Sequence, residues 1–278
     1  MTRSRRRVLL GAGGFITVGL AGCSGSDSSE TPDTTPTNPD RSCDSVGDVS
    51  VYYPTENMGI VTLYAYASNS GRPDDPRPLS ELAPAEHRDA ILAITRQPYY
   101  PTEATADEDG LEGPMWVRHA NTAFGIEVAA GSTREDIMFD RVLTLEPSRS
   151  ASELTLTVRN DGQEPYQMGH VGRPYFGVLI AWDGEHHYLR SEHYAQNDHL
   201  VTGDGYAYPA WTDEDTDEPD NEWLELPPGD SIAETYGIPE GVGDCASVYI
   251  DVPYRRNQTQ TDADRQEQRV VWYVTIGT

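Results

Sequence analysis

The chain has 278 residues, with 46 aspartates and glutamates against 20 arginines and no lysine, so its formal net charge is −26. Such an acidic surface repels nucleic acid phosphates and disfavours contact with anionic lipid head groups, which excludes nucleic acid as a partner. The charges also repel one another in the folded state, and molar salt relieves this because the Debye length falls to about 3 Å.

Residues 1–22 predict an export signal. Residues 1–22 contain no acid and four arginines, all of which precede the apolar run Val8–Leu20; its thirteen residues include four glycines. A transmembrane helix needs roughly 20 apolar residues, so the run fits a secretory signal peptide better. The segment around Arg5 and Arg6 resembles the twin-arginine export signal. Leu20-Ala21-Gly22-Cys23 resembles a lipobox, which implies cleavage before Cys23 and a lipid on its thiol.

Residues 23–42 predict a lipidated cysteine followed by a disordered stalk. The sequence SGSDSSETPDTTPTNPDRS has no aliphatic or aromatic residue, so it cannot bury enough surface to offset chain ordering. Loss of the signal leaves 16 arginines against 46 acids, a net charge of −30. With membrane lipid as the partner of Cys23, we expect the mature protein on the outer face of the cell membrane. The acid excess and the signal together resemble those of haloarchaeal lipoproteins.

Residues 43–136 predict a small α+β module. Residues 49–53 and 60–68 alternate apolar and polar positions around PTENMG, which predicts a hairpin. Pro84 suits a first helical turn and Pro98 follows the expected end, so LSELAPAEHRDAILAITRQP predicts one helix. MWVRHA and FGIEVAA predict two strands around Asn121-Thr122. The stretches LAPAEHRDAI and WVRHANTAFGIEV resemble a module of haloarchaeal proteins of unknown function, and this resemblance implies no activity.

Residues 137–278 predict an antiparallel β-sandwich, because eight short alternating segments are separated by turns such as Asn160-Asp161-Gly162. The predicted strands are MFDRVLTLE, SELTLTVRN, PYFGVLIAW, HYLRSE, EWLELPP, SIAETYGI, ASVYIDVPY and RVVWYVTIG. The Asn-Asp-Gly strand end and the Leu-Pro-Pro-Gly-Asp turn resemble those of immunoglobulin-like lipoprotein sandwiches. They also resemble the β-domain of a bacterial intracellular proteinase inhibitor. The second resemblance implies proteinase inhibition only as a weaker alternative, by analogy of fold.

Two further modifications are predicted outside the cell. With Cys23 lipidated, Cys43 and Cys245 form an even pair for an oxidising compartment, where a disulfide is expected and two free thiols are the alternative. Asn257 begins the glycosylation acceptor Asn-Gln-Thr within a polar loop between two strands.

Five of the seven histidines lie between residues 170 and 199. Neutral imidazole is a common metal ligand, so a divalent metal at His187, His193 and His199 is one interpretation. The other is a set of polar surface histidines, since His186 and His187 must point to opposite faces of a strand. The acidic loop WTDEDTDEPDNEW begins like a calcium-binding loop, but Glu218 stands where glycine is required and Leu224 where a bidentate glutamate is required.

The sequence carries no strong catalytic signature. It has no Gly-x-Ser-x-Gly elbow, and a Walker A motif requires the lysine that this chain lacks. A blue-copper site fails because the residues after Cys245 include neither histidine nor methionine. Tyrosines and tryptophans between residues 188 and 223 predict either a binding face for a glycan or an envelope protein, or an ordinary core. We therefore expect a non-enzymatic binding or envelope-structural lipoprotein with no cofactor. The alternative is a metal-binding protein or metal-dependent enzyme that uses the segment from His170 to His199.

Overall fold

The computed structural model describes residues 49–52, 61–67, 73–95, 115–130, 142–210, 219–243, 245–256 and 268–277. These residues lie in one compact unit, Pro36–Thr278. They are mainly β-strand, and the part described contains one α-helix, α1 (Pro84–Ile94). No helix in these ranges is long and apolar enough to cross a membrane.

The described strands number sixteen. The first eight are β1 (Val49–Tyr52), β2 (Val61–Ala67), β3 (Arg77–Pro78), β4 (Met115–His119), β5 (Thr122–Ala130), β6 (Leu143–Arg149), β7 (Glu153–Asn160) and β8 (Tyr166–His170). The others are β9 (Ile180–Trp182), β10 (His186–Tyr188), β11 (Leu200–Gly203), β12 (Tyr206–Pro209), β13 (Glu222–Leu226), β14 (Ser231–Gly237), β15 (Ala246–Arg256) and β16 (Gln268–Ile276).

Two antiparallel sheets form most of the strand-built body. The larger has seven strands, five of them in the order β1-β16-β15-β8-β13. Its strand β15 also pairs with β9, and β9 pairs with β10. The smaller sheet has the order β14-β7-β6.

The two sheets share one hydrophobic core. Alternate residues of β7, namely Leu154, Leu156 and Val158, are fully buried, as the two-residue period of a strand requires. Among the described residues, Trp272 on β16 is the largest fully buried side chain, and it belongs to the same continuous apolar cluster. The prediction of a mainly β fold is confirmed.

The helix packs against a third sheet, of order β2-β5-β4-β3, through contacts with β2 and β5. Pro84 opens the helix, and the Glu86 carboxylate accepts the Ala83 N–H at 3.1 Å, which satisfies one otherwise unpaired donor. At the other end, the Thr95 hydroxyl donates to the Ile91 carbonyl at 2.7 Å. The predicted helix and the hairpin of β4 and β5 are confirmed.

The hairpin predicted from residues 49–53 and 60–68 is wrong, although both segments contain strands. β1 pairs with β16, with Val49 opposite Ile276, whereas β2 pairs with β5, with Val61 opposite Ala130. Alternating polarity identifies a strand but not its partner, because the partner is set by distant residues. β1 therefore belongs to the sheet built by residues 137–278 and not to a separate module of residues 43–136.

Three differences occur among the C-terminal strands. Only Ile180–Trp182 of the predicted strand PYFGVLIAW is extended in a sheet. The strand predicted as MFDRVLTLE runs from Leu143 to Arg149 where it is described. The strands β8, β11 and β12 were not predicted: glycine, histidine or polar residues interrupt the alternation of β8 and β11, and β12 is only four residues long and ends in proline.

Asn160 connects the Asn-Asp-Gly segment to the Leu-Pro-Pro-Gly-Asp segment by hydrogen bonds. Its buried side-chain amide donates to the carbonyls of Glu164 and Leu226, both at 2.8 Å, and its amide oxygen accepts the Gly162 N–H at 2.9 Å. Its backbone N–H donates to the Asp230 carbonyl, and its own carbonyl accepts the Gly229 N–H. One side chain therefore joins the end of β7 to the turn that leads into β14.

A second polar connection links the small sheet to the loop between β8 and β9. Glu234 of β14 is 3 % exposed, and it accepts hydrogen bonds from the Arg173 guanidinium at 2.8 Å and the Tyr175 N–H at 3.2 Å. The Tyr236 hydroxyl donates to the Gly177 carbonyl at 3.1 Å. These bonds fix a loop in place of the longer strand predicted from the sequence.

Asn160→Ala removes three side-chain hydrogen bonds and leaves the buried Leu226 carbonyl without its amide donor. We expect the free energy of unfolding to fall by about 2 to 4 kcal/mol, measured by chemical denaturation in molar salt. Gln163→Ala, which changes an exposed residue of the same turn, is the matched control and should alter stability little. A loss as small as that of the control would contradict the role given to Asn160.

Candidate functional site

Three histidines from distant parts of the chain lie together, on α1, β4 and β10. With three tyrosines of β10 and β12 they form what we call the histidine–tyrosine cluster. Its members are His87, His119, His186, Tyr188, Tyr206 and Tyr208.

His119 is placed by a tight turn. It ends β4 opposite Thr122, with which β5 begins. Between them Ala120 has a φ of 52°, a left-handed conformation that residues other than glycine seldom adopt. Val117 and Phe124 are fully buried, so the hairpin is fixed from below and His119 lies at its tip.

His87 is placed by the apolar face of α1. It precedes Ile91 by four residues and Ile94 by seven, so the three side chains lie along one side of the helix. Both isoleucines are buried, whereas His87 is half-buried at the N-terminal end of that side. Packing of the helix therefore brings the imidazole to the margin of the core.

His186 is placed by the hairpin of β9 and β10. His186 pairs with Trp182, and the turn between them includes Gly184, whose φ is 117°. The Asp183 carboxylate accepts the Glu185 N–H at 3.0 Å and so stabilises the turn. Because strand residues alternate between faces, His186 and Tyr188 share a face.

The ring contacts are close. The centroids of His87 and His186 are 4.4 Å apart, with planes at 70°. His119 stacks on Tyr188 at 6.1 Å, and the Tyr188 hydroxyl lies 3.2 Å from His119 Nε2. His186 also meets Tyr188 edge-on at 5.7 Å, so Tyr188 contacts two of the histidines.

Two tyrosines of β12 complete the cluster. The rings of Tyr206 and Tyr208 stack at 5.9 Å, and His119 contacts both edge-on. Tyr208 is 2 % exposed, and its hydroxyl lies 3.1 Å from Thr122 Oγ1. Gly203 on the paired strand β11 makes room, since a Cβ there would overlap the Tyr206 ring.

The histidines are neutral at pH 7. Burial, with a smaller contribution from the neighbouring histidines, lowers the pKa of His119 and of His186 to about 4. Burial also lowers the pKa of His87, against an opposite effect of the Glu185 carboxylate. Burial raises the pKa of Tyr188, which keeps its phenol protonated. The cluster therefore offers neutral imidazoles and aromatic faces.

Such a surface suits binding. Neutral imidazole nitrogens accept hydrogen bonds or coordinate metal ions, and tyrosines supply rigid contact area with a polar end. Tyr206, His87, His119 and His186 are half-buried, so part of each remains accessible.

The three histidines named as metal ligands have separate surroundings. His187 Nε2 lies 3.2 Å from the Asp183 carboxylate, and His193 Nε2 lies 3.3 Å from the Glu234 carboxylate. His199 is exposed, and its backbone N–H donates to Asn197. Across the described ranges, no three histidine, cysteine, aspartate or glutamate side chains are arranged to hold a metal ion. Metal binding by this trio stays a prediction.

Several predicted sites fall outside the described residues. These are Arg5, Arg6, Cys23, Cys43 and Asn257, together with the acidic loop after Trp211. Cys245 is described and is disulfide-bonded.

Sequence reasoning missed His87 and His119, because they precede His186 by 99 and 67 residues and match no ligand spacing. Strand alternation did predict that His186 and His187 point to opposite faces, and this was the one feature of the sequence that bore on the cluster. No protein-family model matches the chain, and no curated protein sequence matches it. Its function is therefore inferred from its residues and their geometry.

Acid should destabilise the fold through this cluster. The pKa of His119 and of His186 is about 4 in the folded protein against about 6.5 unfolded, so their contribution is complete above pH 6.5 and is lost as pH falls toward 4. We expect a loss of roughly 2 to 3 kcal/mol per histidine across that window.

The measurement is the free energy of unfolding at several pH values. His119→Gln and His186→Gln should each flatten its decline between pH 6.5 and 4. His199→Gln, at an exposed position, is the control and should leave the decline unchanged. Equal slopes for all three variants and the parent protein would contradict the prediction.

Proposed function

We propose that the chain is a lipid-anchored lipoprotein of a halophilic archaeon, exported by the twin-arginine route and displayed on the outer face of the cell membrane. Its role is non-enzymatic: it binds an envelope protein or a glycan, or supports the envelope. The observation that carries this proposal is the pairing of Arg5-Arg6 with Leu20–Cys23 at the two ends of a short apolar run.

The cysteines support an extracellular location. Cys245 is disulfide-bonded, and disulfides persist mainly in oxidising compartments. Val49 and Ala246 both pair with Ile276, from opposite sides of β16, so their backbones are about 10 Å apart. Cys43 is six residues before Val49, a span of up to about 20 Å, which makes it the partner that we propose for Cys245.

The fold supports a display role. We propose that the seven-stranded and three-stranded sheets form an immunoglobulin-like sandwich, because their buried faces belong to one core. Sandwiches of this kind commonly serve as binding modules, although fold alone does not assign an activity. The histidine–tyrosine cluster is the binding face that we propose, because it collects three half-buried imidazoles and the half-buried Tyr206 ring on a helix and strands that pack against the core.

Cys23→Ser removes the thiol that would carry lipid. The protein should then move from the membrane fraction to the soluble fraction and lose the mass of its lipid adduct, as fractionation and intact-protein mass spectrometry would show. Ser24→Ala is the matched control and should stay with the membrane. If the Cys23→Ser protein remains with the membrane, the proposed anchor is wrong.

Digestion without reduction should yield one linked peptide pair that contains Cys43 and Cys245. Joining them closes about 200 residues, so reduction should lower the free energy of unfolding by up to about 5 kcal/mol. The Cys43→Ser, Cys245→Ser double variant should not respond to reductant. A peptide pair that joins Cys245 to Cys23 would refute both this bridge and the lipid on Cys23.

A further inference from the structure

We propose that His87 and His186 form a binding site for a divalent transition-metal ion, and that Cu(II) is the ion that this site binds most tightly. The site is distinct from the trio His187, His193 and His199. It stands whether or not the chain is lipid-anchored, because it depends only on contacts within the folded body.

The first support is that two elements far apart in the chain bring these histidines together. His87 belongs to the first turns of α1, and His186 begins β10, 99 positions later in the chain. Their rings nevertheless touch at a centroid distance of 4.4 Å. Two imidazoles brought together by separate elements, each of which is anchored in the core, form a preorganised pair.

The second support is the state of the ring nitrogens. His87 Nε2 is buried and has no hydrogen-bond partner among the described residues. The side-chain contacts of His186 within the described ranges are ring contacts, with His87 and Tyr188, while its backbone pairs with Trp182. A buried polar atom without a partner costs about 1 to 3 kcal/mol, so coordination to a cation would relieve a cost already present.

The distance between the two rings is compatible with one shared ion. An imidazole nitrogen lies about 2.0 Å from the metal, so the ring centroid lies about 3.1 Å from it. Two such rings at a right angle around one ion have centroids about 4.4 Å apart. The measured separation of His87 and His186 is 4.4 Å. Adjacent positions at right angles are typical of the tetragonal geometry of Cu(II) and Ni(II).

Charge also favours a cation here. The Glu185 carboxylate acts electrostatically on His87, which places a negative charge close to the pair. The acidic protein as a whole attracts cations, although molar salt screens that long-range part.

A two-histidine site is compatible with the absence of a three-ligand arrangement in the described part of the chain. Because His87 Nε2 is buried and His186 is half-buried, water would reach the ion from the His186 side and complete its coordination there. An open site exchanges its ion and offers the free positions to an outside ligand. This distinguishes it from a closed structural site, in which removal of the metal unfolds the protein.

The test is a titration of the chelator-treated, full-length protein with Cu(II) at pH 7.5 in molar salt, with glycine present to suppress weak surface binding. Calorimetry should show one equivalent, and electron paramagnetic resonance should show coupling to two imidazole nitrogens. His87→Gln and His186→Gln should each weaken binding at least about tenfold, since even partners that only orient a metal ligand are worth that much.

His199→Gln and His187→Gln are the controls and should bind Cu(II) as the parent protein does. Metal-free unfolding curves of all variants establish that each is folded before it is titrated. Unchanged affinity in both His87→Gln and His186→Gln would overturn the site. A loss confined to His187→Gln or His199→Gln would overturn it as well, and would favour the trio predicted from the sequence.

Discussion

A carboxylate that is almost completely removed from solvent constrains the strand-built body. Burial of such a charge costs several kcal/mol unless donors surround it. Glu234, on the small sheet, meets the Arg173 guanidinium, the Tyr175 N–H and the ring of His193. The hydrogen bond to Glu234 in turn raises the pKa of Arg173. Because the donors at Arg173 and Tyr175 lie in the loop between β8 and β9, satisfying this charge fixes where the loop runs and where β9 begins.

Hydrogen-bond donors also surround a second carboxylate, Asp183, in the hairpin that carries His186. Burial opposes ionisation of Asp183, but hydrogen bonds from the backbone of Gly243 and Glu185 outweigh it and lower the pKa of Asp183. A Cβ at position 243 would lie 2.9 Å from Asp183 Oδ2, so a larger residue there would displace that carboxylate. Asn197 holds the adjacent loop, since its amide donates to the carbonyls of Val171 and Arg173 at 2.8 Å each. The imidazole of His186 therefore stands on a support built from polar contacts as well as apolar packing.

Two departures from local rules lie in the histidine–tyrosine cluster. Ala120 adopts a left-handed conformation next to His119, and His87 Nε2 is buried without a partner in the described part of the molecule. Natural proteins retain such costs mainly where function requires them. In contrast, His187 and His193 lie beside carboxylates, an ordinary arrangement that stabilises the fold. This contrast is the physical reason to place a ligand at His87 and His186.

The sequence by itself determined the elements whose cause is local. The helix from Pro84 follows from its proline start and apolar spacing, and the turn at Asn160 follows from side chains that bond their own backbone. Strand alternation in the sequence also predicted that His186 and His187 point to opposite faces of their strand. Only the tertiary structure decided that β1 joins β16, and that His87 and His119 reach β10. Those contacts join residues tens to hundreds of positions apart, and they are selected by burial of a shared core, which no local pattern of residues encodes.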